Sequence, residues 1–329
     1  MQHLRNRTTG TLGVLLSGAL LLSACGGDTG SEDSGSDSAT GSETATDGGT
    51  STEAAGLSPA ESCDAIDVGT IGWTEDVAVN ALFGHLMGEQ GFTWNTTNLD
   101  VGALYSGVAN GDLDLFMDAW LPSTHSDYWE QFGDQITDLN TWFEEAPLTW
   151  AVPTYVAEEQ GIETIADLQG KADTFGGEIV GIDPGAGLTR ISKEEVIPTY
   201  ELGDAYELTE SSTAAMLQTL GNAIDDEAPV VVTLWEPHSA YAKWDLTNLE
   251  DPEGALGEPD EIHTVAAQSF EDDCPNAAAV LKNFQISGDQ LADLELKIEE
   301  AGEGNETEGV EAWVSENQDL VDEWMTVSA

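Results

Sequence analysis

The stretch VVVTLWEPHSAY, Val230 to Tyr241, predicts a buried β-strand that ends at Trp235, with His238 three residues further on. Consecutive β-branched and apolar residues are typical of a strand that is covered on both faces. Such a strand usually ends in a turn of small polar residues, whereas this one ends in an indole and an imidazole on either side of a proline. The pattern indicates an α/β sheet with a crevice at the carboxyl end of this strand.

Strand-like and helix-like segments alternate on either side of this stretch. Units of strand, helix and parallel strand are predicted over residues 65–120 and again over residues 147–235. From about Asp260 the chain is predicted to add one strand and then amphipathic helices that return to the first unit. We therefore expect an α/β clamshell, each lobe a mixed sheet flanked by helices, with lobe I formed by residues 58–161 and 259–329 and lobe II by residues 162–258.

The charge balance is extreme, because 8 Lys and Arg stand against 63 Asp and Glu, for a net charge of −55. Seven of these acids lie in residues 26–56, so the remainder of the chain is itself strongly acidic. A few scattered cations cannot neutralise a phosphate backbone, which excludes nucleic acid as a partner. Since high salt screens such self-repulsion, the composition predicts a halophilic protein, with an ordinary acidic solubility surface as the alternative.

Residues 1–24 have the pattern of a lipoprotein signal peptide. MQHLRNR is cationic, and the apolar run from Leu12 to Leu22 is shorter than the ~20 residues of a membrane-spanning helix. The segment closes with LSAC, which resembles the lipobox of bacterial prolipoproteins, so Cys25 is the predicted lipidation site; a cleaved secretory signal is the alternative. Residues 25–57 are predicted to be a disordered acidic linker that keeps the folded part at the extracytoplasmic face of the membrane, held by lipid alone.

Two further cysteines, Cys63 and Cys274, complete the set. A pair of cysteines in an exported protein is rarely left reduced, which predicts a disulfide bond between them. Two unrelated buried thiols are the alternative.

Three tryptophans end predicted strands: Trp73 closes VGTIGW, Trp120 closes LDLFMDAW and Trp235 closes VVVTLW. Because the carboxyl ends of parallel strands face one crevice, the three indoles are expected to converge there. A quaternary ammonium donates no hydrogen bond, and indole faces are its strongest cation–π partners. His238 would add a donor for an anionic group, and the turn GIDPGAG offers backbone amides. Taken singly, each tryptophan is equally compatible with a plain core position.

Four segments resemble the substrate-binding proteins of ABC importers for glycine betaine and proline betaine: IGWTEDVAVN, DLFMDAWLPSTHSDYW, GIDPGAG and VVVTLWEPHSAYAKWDL. The resemblance runs from about Val68 to Phe284. It implies the type II fold of periplasmic binding proteins, and capture of a quaternary-ammonium solute such as glycine betaine for delivery to an ABC permease in osmoprotection. We further expect a monomer with no enzymatic activity, no cofactor and no metal.

The resemblance also implies roles for individual residues. The implied ligand contacts are Trp73, Trp120 and Trp235 for a cage around the ammonium group, and His238 with the backbone amides of Gly181 and Ile182 for the carboxylate. His125, in WLPSTH, matches a further position of the family without a defined role. Sister proteins carry a cage tryptophan where this chain has Ala186, and many relatives an aromatic residue where it has Ser239, which leaves the size of the ligand open.

Two other functions are alternatives. An extracytoplasmic hydrolase would draw on the many acids, but no G-x-S-x-G, H-E-x-x-H or Cys/His signature accompanies them. A metal-capturing lipoprotein would use histidines that stand singly and without ligand spacing, namely His85, His125, His238 and His263.

Overall fold

Two five-stranded sheets organise the structure, a computed structural model that describes Leu57, Pro59 and residues 63–302 and 304–327. The predicted signal peptide, Cys25 and nearly all of the predicted linker lie outside the described residues. Among those described, the strands are Ala65–Thr70 (β1), Thr93–Asn98 (β2), Leu115–Leu121 (β3), Ile136–Ala146 (β4), Leu148–Pro153 (β5), Glu178–Val180 (β6), Glu207–Thr209 (β7), Val232–Trp235 (β8), Leu246–Asn248 (β9) and Asp260–Ala267 (β10).

Helices cover the sheets. In the same part of the chain they are Thr74–Glu89 (α1), Val101–Asn110 (α2), Ser126–Phe132 (α3), Thr154–Gln160 (α4), Gly187–Ile191 (α5), Ile197–Thr199 (α6), Thr213–Asp225 (α7), Ala240–Lys243 (α8), Phe270–Asp273 (α9), Pro275–Asn283 (α10), Gly288–Ala301 (α11), Glu306–Glu316 (α12) and Gln318–Met325 (α13). A π-helical turn, Ser192–Val196, connects α5 to α6. None of the described helices is long and apolar enough to cross a membrane.

The strand order defines two lobes. The first sheet, β2-β1-β3-β10-β4, forms lobe I, and the second, β7-β6-β8-β5-β9, forms lobe II. In lobe I the strands β1, β2 and β3 are parallel, as predicted, whereas β10 runs antiparallel between β3 and β4. The C-terminal third therefore belongs to lobe I.

The structure corrects the first predicted boundary between the lobes. The prediction placed it at residue 161, but β5 pairs with β8 and β9, so the chain already crosses at Pro147. The alternation of elements shows where strands occur, while hydrogen-bonded pairing decides which sheet a strand joins. The second crossing lies between β9 and β10, a connection that contains the predicted position 259.

The C-terminal helices complete the core of lobe I with aromatic side chains. The indoles of Trp313 and Trp324 stack with centroids 6.1 Å apart, and the Phe284 ring meets Trp324 edge-on at 4.9 Å. Nearby, Cys63 and Cys274 form a disulfide bond with their Cα atoms 5.2 Å apart. It joins the start of β1 to the start of α10, 211 residues later, within lobe I.

Few cations offset the acidic surface of this fold. Beyond residue 56 the sequence contains 56 acids and six Lys or Arg, and five of those six form ion pairs in the structure. Most carboxylates therefore face like charges, a repulsion that falls as salt shortens the Debye length from about 10 Å at 0.1 M to about 3 Å at 1 M.

We expect the unfolding temperature to rise by roughly 10 °C or more when KCl is raised from about 0.1 M to about 2 M. The measurement is thermal unfolding followed by circular dichroism. Sucrose of equal osmolality is the control, because it stabilises by exclusion from the surface without screening charge. An unfolding temperature that responds equally to both solutes would contradict a role for charge screening.

Candidate functional site

A small cavity between the lobes brings the three predicted indoles together. The space among its lining atoms amounts to about 260 Å³, a figure that includes space open to solvent, and Trp73, Trp120 and Trp235 are each less than 5% exposed. Its complete lining is Trp73, Glu75, Trp120, Thr124, His125, Leu148, Ile182, Ala186, Gly187, Leu188 and Trp235. The predicted convergence at strand ends therefore exists in the folded chain.

Each indole reaches the cavity from the end of a strand. Trp120 is the penultimate residue of β3, and Trp235 is the last residue of β8. Trp73 lies three residues beyond β1, in the N-cap position of α1. Because β1 and β3 are parallel neighbours, their carboxyl ends open at the same edge of the sheet.

Buried carboxyl groups hold two of the indoles in place. The Trp120 Nε1–H donates to Oδ1 of Asp118 at 2.9 Å, and the Trp235 Nε1–H donates to Oε2 of Glu75 at 2.9 Å. The second bond joins lobe II to lobe I. Burial raises the pKa of Glu75 to about 7, and burial together with the charges of Glu75 and Asp76 raises the pKa of Asp118 well above its usual value.

His125 presents a hydrogen-bond donor to this cavity. Its Nδ1 accepts the backbone N–H of Trp120 at 3.0 Å, whereas its Nε2 is buried without a hydrogen-bond partner. Burial, with a smaller contribution from Arg190, lowers the pKa of His125 to about 3, so the ring is neutral near pH 7. Since Nδ1 accepts, the single proton belongs on Nε2, and this N–H is a hydrogen-bond donor without an acceptor in the protein.

A buried carboxylate positions the loop that carries His125. Asp260, the first residue of β10, accepts the N–H of Ser123 and of Thr124 at 2.7 Å each. The hydroxyl of Thr124, like Nε2 of His125, is buried without a partner and belongs to the cavity wall. Two unsatisfied polar groups therefore lie side by side in the sequence and line the same cavity.

His238 packs behind Trp235 and is not among the residues that line the cavity, and its predicted contact with a carboxylate stays a prediction. Its Nδ1 accepts the N–H of Ala240 at 3.0 Å, and its ring packs edge-on against Trp235 with centroids 4.7 Å apart. Burial lowers its pKa to about 3 as well, so the ring is neutral, and its Nε2, like that of His125, is buried without a hydrogen-bond partner.

The structure corrects one of the two backbone amides that were predicted to bind a carboxylate, that of Gly181. Ile182 lines the cavity, but the N–H of Gly181 already donates to the carbonyl oxygen of Thr209 at 2.8 Å and Gly181 is absent from the wall. Gly187 and Leu188 line it instead, as the first two residues of α5. The first N–H groups of a helix have no intrahelical acceptor. The sequence signal for this position is the last glycine of GIDPGAG, the turn whose backbone amides are predicted to meet an anionic group.

Several contacts join the lobes around the cavity. Arg190 Nε of lobe II lies 3.3 Å from Oδ2 of Asp127, and the hydroxyl of Tyr128 donates to the carbonyl oxygen of Gly185 at 2.9 Å. Directly before α8, the N–H of Ser239 donates to Glu295 of α11. The lobes are therefore in contact through side chains on both, as in a closed clamshell.

The described residues contain no group of three or more His, Cys, Asp or Glu side chains arranged to hold a metal ion. The histidines of the metal-capturing alternative are dispersed: His263 contacts Asp138, and His85 lies on α1 near Glu89.

Two mixed sheets, each flanked by helices, with a cavity between them define a two-lobed substrate-binding protein of the type II fold. The chain belongs to the family described as the substrate binding domain of ABC-type glycine betaine transport systems, whose model matches residues 64–316.

Proteins similar to this chain come from several sources. The glycine betaine/carnitine transport binding protein GbuC of Listeria monocytogenes is 36% identical over 147 residues, which is 44% of this chain and 48% of that protein. The matched segment thus spans about half of that relative. Lactococcal OpuAC, in its closed-liganded conformation with glycine betaine, is 31% identical with a TM-score of 0.72, covering 80% of this chain and 99% of that one. An ABC-transporter choline binding protein in complex with choline is 26% identical with a TM-score of 0.73, covering 81% and 93%.

Proposed function

We propose that this protein captures a quaternary-ammonium solute, glycine betaine or a close relative, outside the cytoplasm and delivers it to the permease of an ABC importer without converting it chemically. The observation that carries the proposal is the convergence of Trp73, Trp120 and Trp235 on one small cavity between two lobes. Two solved structures of similar fold, one complexed with glycine betaine and one with choline, support it.

The cage can supply most of the binding free energy. A cation–π contact with a desolvated indole contributes up to about 2 kcal/mol. Three such contacts give roughly 6 kcal/mol, against about 8 kcal/mol for a micromolar complex. Methyl groups on the nitrogen suit a site of this kind, because an indole attracts a cation without accepting an N–H from it.

The other end of the ligand is proposed to meet hydrogen-bond donors. These donors are Nε2 of His125, the hydroxyl of Thr124 and the first N–H groups of α5 at Gly187 and Leu188. All of them would suit a carboxylate, so we infer that the ligand is a zwitterion. Choline has no carboxylate and would leave these donors unpaired, at a typical cost of about 1–3 kcal/mol.

Both lobes would hold the ligand, which couples binding to closure. Trp73, Trp120 and His125 belong to lobe I, whereas Trp235 and Gly187 belong to lobe II. A ligand that contacts both stabilises the closed conformation over the open one. Anchoring through Cys25 remains a prediction, and would keep the closed protein near its permease.

Titration calorimetry at high salt with glycine betaine and choline tests the proposal. We expect wild-type protein to bind glycine betaine more tightly than choline, and His125→Gln to weaken glycine betaine binding by about 10–100-fold while changing choline binding little. His263→Gln is the matched control, because His263 is another buried histidine of lobe I, but its ring contacts Asp138 and lies outside the cavity wall; it should leave the ratio of the two affinities unchanged. Failure to bind any quaternary amine would refute the function, and an unchanged ratio in His125→Gln would remove His125 from the carboxylate site.

A further inference from the structure

Three carboxyl groups lie buried at the cage with no cation beside them. Glu75, Asp76 and Asp118 are each 1% exposed or less. Every ion pair in the described part of the chain involves other residues. A cluster of unpaired buried charges is strongly unfavourable, so its presence beside a binding cavity requires an explanation.

The geometry ties two of these carboxyl groups directly to the cage. Glu75 accepts the N–H of Trp235, Asp118 accepts the N–H of Trp120, and both donor–acceptor distances are 2.9 Å. Glu75 is also the one acidic residue in the cavity lining. Negative charge at the N–H edge of an indole increases the electron density on its face, which is the surface that a cation contacts.

The groups that face this pair are acidic or neutral on every side. Glu75 interacts with Asp76 on α1, with Asp118 on β3 and with Glu295 on α11, while Asp118 also faces the phenol of Tyr105 on α2. In this low-dielectric site the carboxyl groups cannot all be ionised together. At least one proton is therefore retained among them when the cavity holds no positive charge.

Resting on the function proposed above, we propose that Glu75 and Asp118 are specificity-determining residues that share a proton in the free protein and exchange it for the ligand's fixed positive charge. The quaternary nitrogen enters the cage, the O–H bond of the shared carboxyl breaks, and the proton leaves to water or buffer. The pair then acts as the counter-charge of the ammonium group. The site therefore selects a positively charged ligand over an uncharged ligand of the same shape, because the uncharged one cannot replace the proton.

The pH dependence has a definite sign. Burial raises the pKa of Glu75 to about 7 in the free protein, and a neighbouring cation lowers the pKa of a carboxyl group. Binding therefore releases a proton below this pKa, and the affinity increases as the pH rises toward about 7 and levels off above it. For one linked proton we expect a gain of about tenfold or more between about pH 5.5 and about pH 8.

Calorimetry in two buffers of different ionisation enthalpy, phosphate and Tris, measures the proton directly. With glycine betaine near pH 6.5 we expect wild-type protein to release a substantial fraction of one proton, and Glu75→Gln and Asp118→Asn each to release little or none. Asp114→Asn is the matched control, because Asp114 is a partly buried carboxylate just before β3 that accepts the N–H of Asp67 far from the cage. It should release as much as wild type.

The second arm compares glycine betaine with 3,3-dimethylbutanoate, in which carbon replaces the charged nitrogen. We expect wild-type protein to prefer the charged ligand, and either carboxamide variant to lose about tenfold or more of that preference. Glycine betaine binding without proton release, or with unchanged preference in both variants, would overturn this inference and leave the proposed function standing. Absence of betaine binding would overturn both. Two variants at different positions guard against a single substitution that fails to fold.

Discussion

Trp235→Ala is expected to weaken glycine betaine binding by at least about 30-fold, the largest effect of any single cage substitution. The ring offers a cation–π contact worth up to about 2 kcal/mol, and truncation of a buried aromatic anchor adds to that loss. Trp235 also connects the lobes, because its indole N–H donates to Glu75 of lobe I. The substitution therefore removes a cage wall and a contact that stabilises closure.

Calorimetry with thermal unfolding of the same samples separates binding from folding. Trp244→Ala is the matched control, since Trp244 is a partly buried tryptophan of lobe II whose ring lies under the Lys243 ammonium and outside the cavity wall. We expect it to bind glycine betaine like wild type. Retained affinity in a folded Trp235→Ala protein would remove this ring from the cage, and with it the main support for the proposed function.

Gly187→Ala should raise the Kd by about 100-fold while each lobe remains folded. A Cβ at this position would lie 2.2 Å from the carbonyl oxygen of Thr124 and 2.4 Å from its Cγ2. Gly187 belongs to lobe II and Thr124 to lobe I, so the overlap arises only when the lobes meet. Overpacking typically costs 1–3 kcal/mol and occasionally more, and here the cost falls on the closed conformation alone.

The same turn contains its own control. A Cβ on Gly185 would meet its nearest neighbour, Cγ1 of Val101, at 3.5 Å, which is ordinary contact. Gly185→Ala should therefore bind nearly as well as wild type. Small-angle scattering with saturating ligand adds a structural readout: we expect the wild type and Gly185→Ala to contract and Gly187→Ala to remain extended. Full contraction and unchanged affinity in Gly187→Ala would show that the lobes close in a different way.

The fold class and the cage were open to prediction because they depend on local patterns. An apolar run indicates a strand. A residue at the carboxyl end of that strand lies at the edge of the sheet, whichever strands it pairs with. Trp120 and Trp235 lie at strand ends in this way, and Trp73 lies a few residues after the end of β1, in the N-cap position of α1. The family resemblance depended on the same segments, and the family match over residues 64–316 agrees with it.

Hydrogen-bond partners distant in the chain were beyond prediction. The turn GIDPGAG is recognisable in the sequence, but the hydrogen bond from the Gly181 N–H to the carbonyl oxygen of Thr209 depends on the pairing of strands in the folded sheet. Glu75 and Asp76 lie in the first turn of α1, where the helix dipole favours acidic side chains, and their sequence positions indicate no more than that. Only the approach of Asp118 from β3 and of Trp235 from the other lobe turns Glu75 into part of the cage.

The acidic charge, the two α/β lobes and the indoles at strand ends were predictable from the sequence alone, because charge, apolar periodicity and strand termini are properties of short segments. Two arrangements required the tertiary structure: His125 lines the cavity, and α5 meets lobe I at Gly187. The direction of a side chain depends on neighbours contributed by remote segments, and only the folded chain brings those neighbours together.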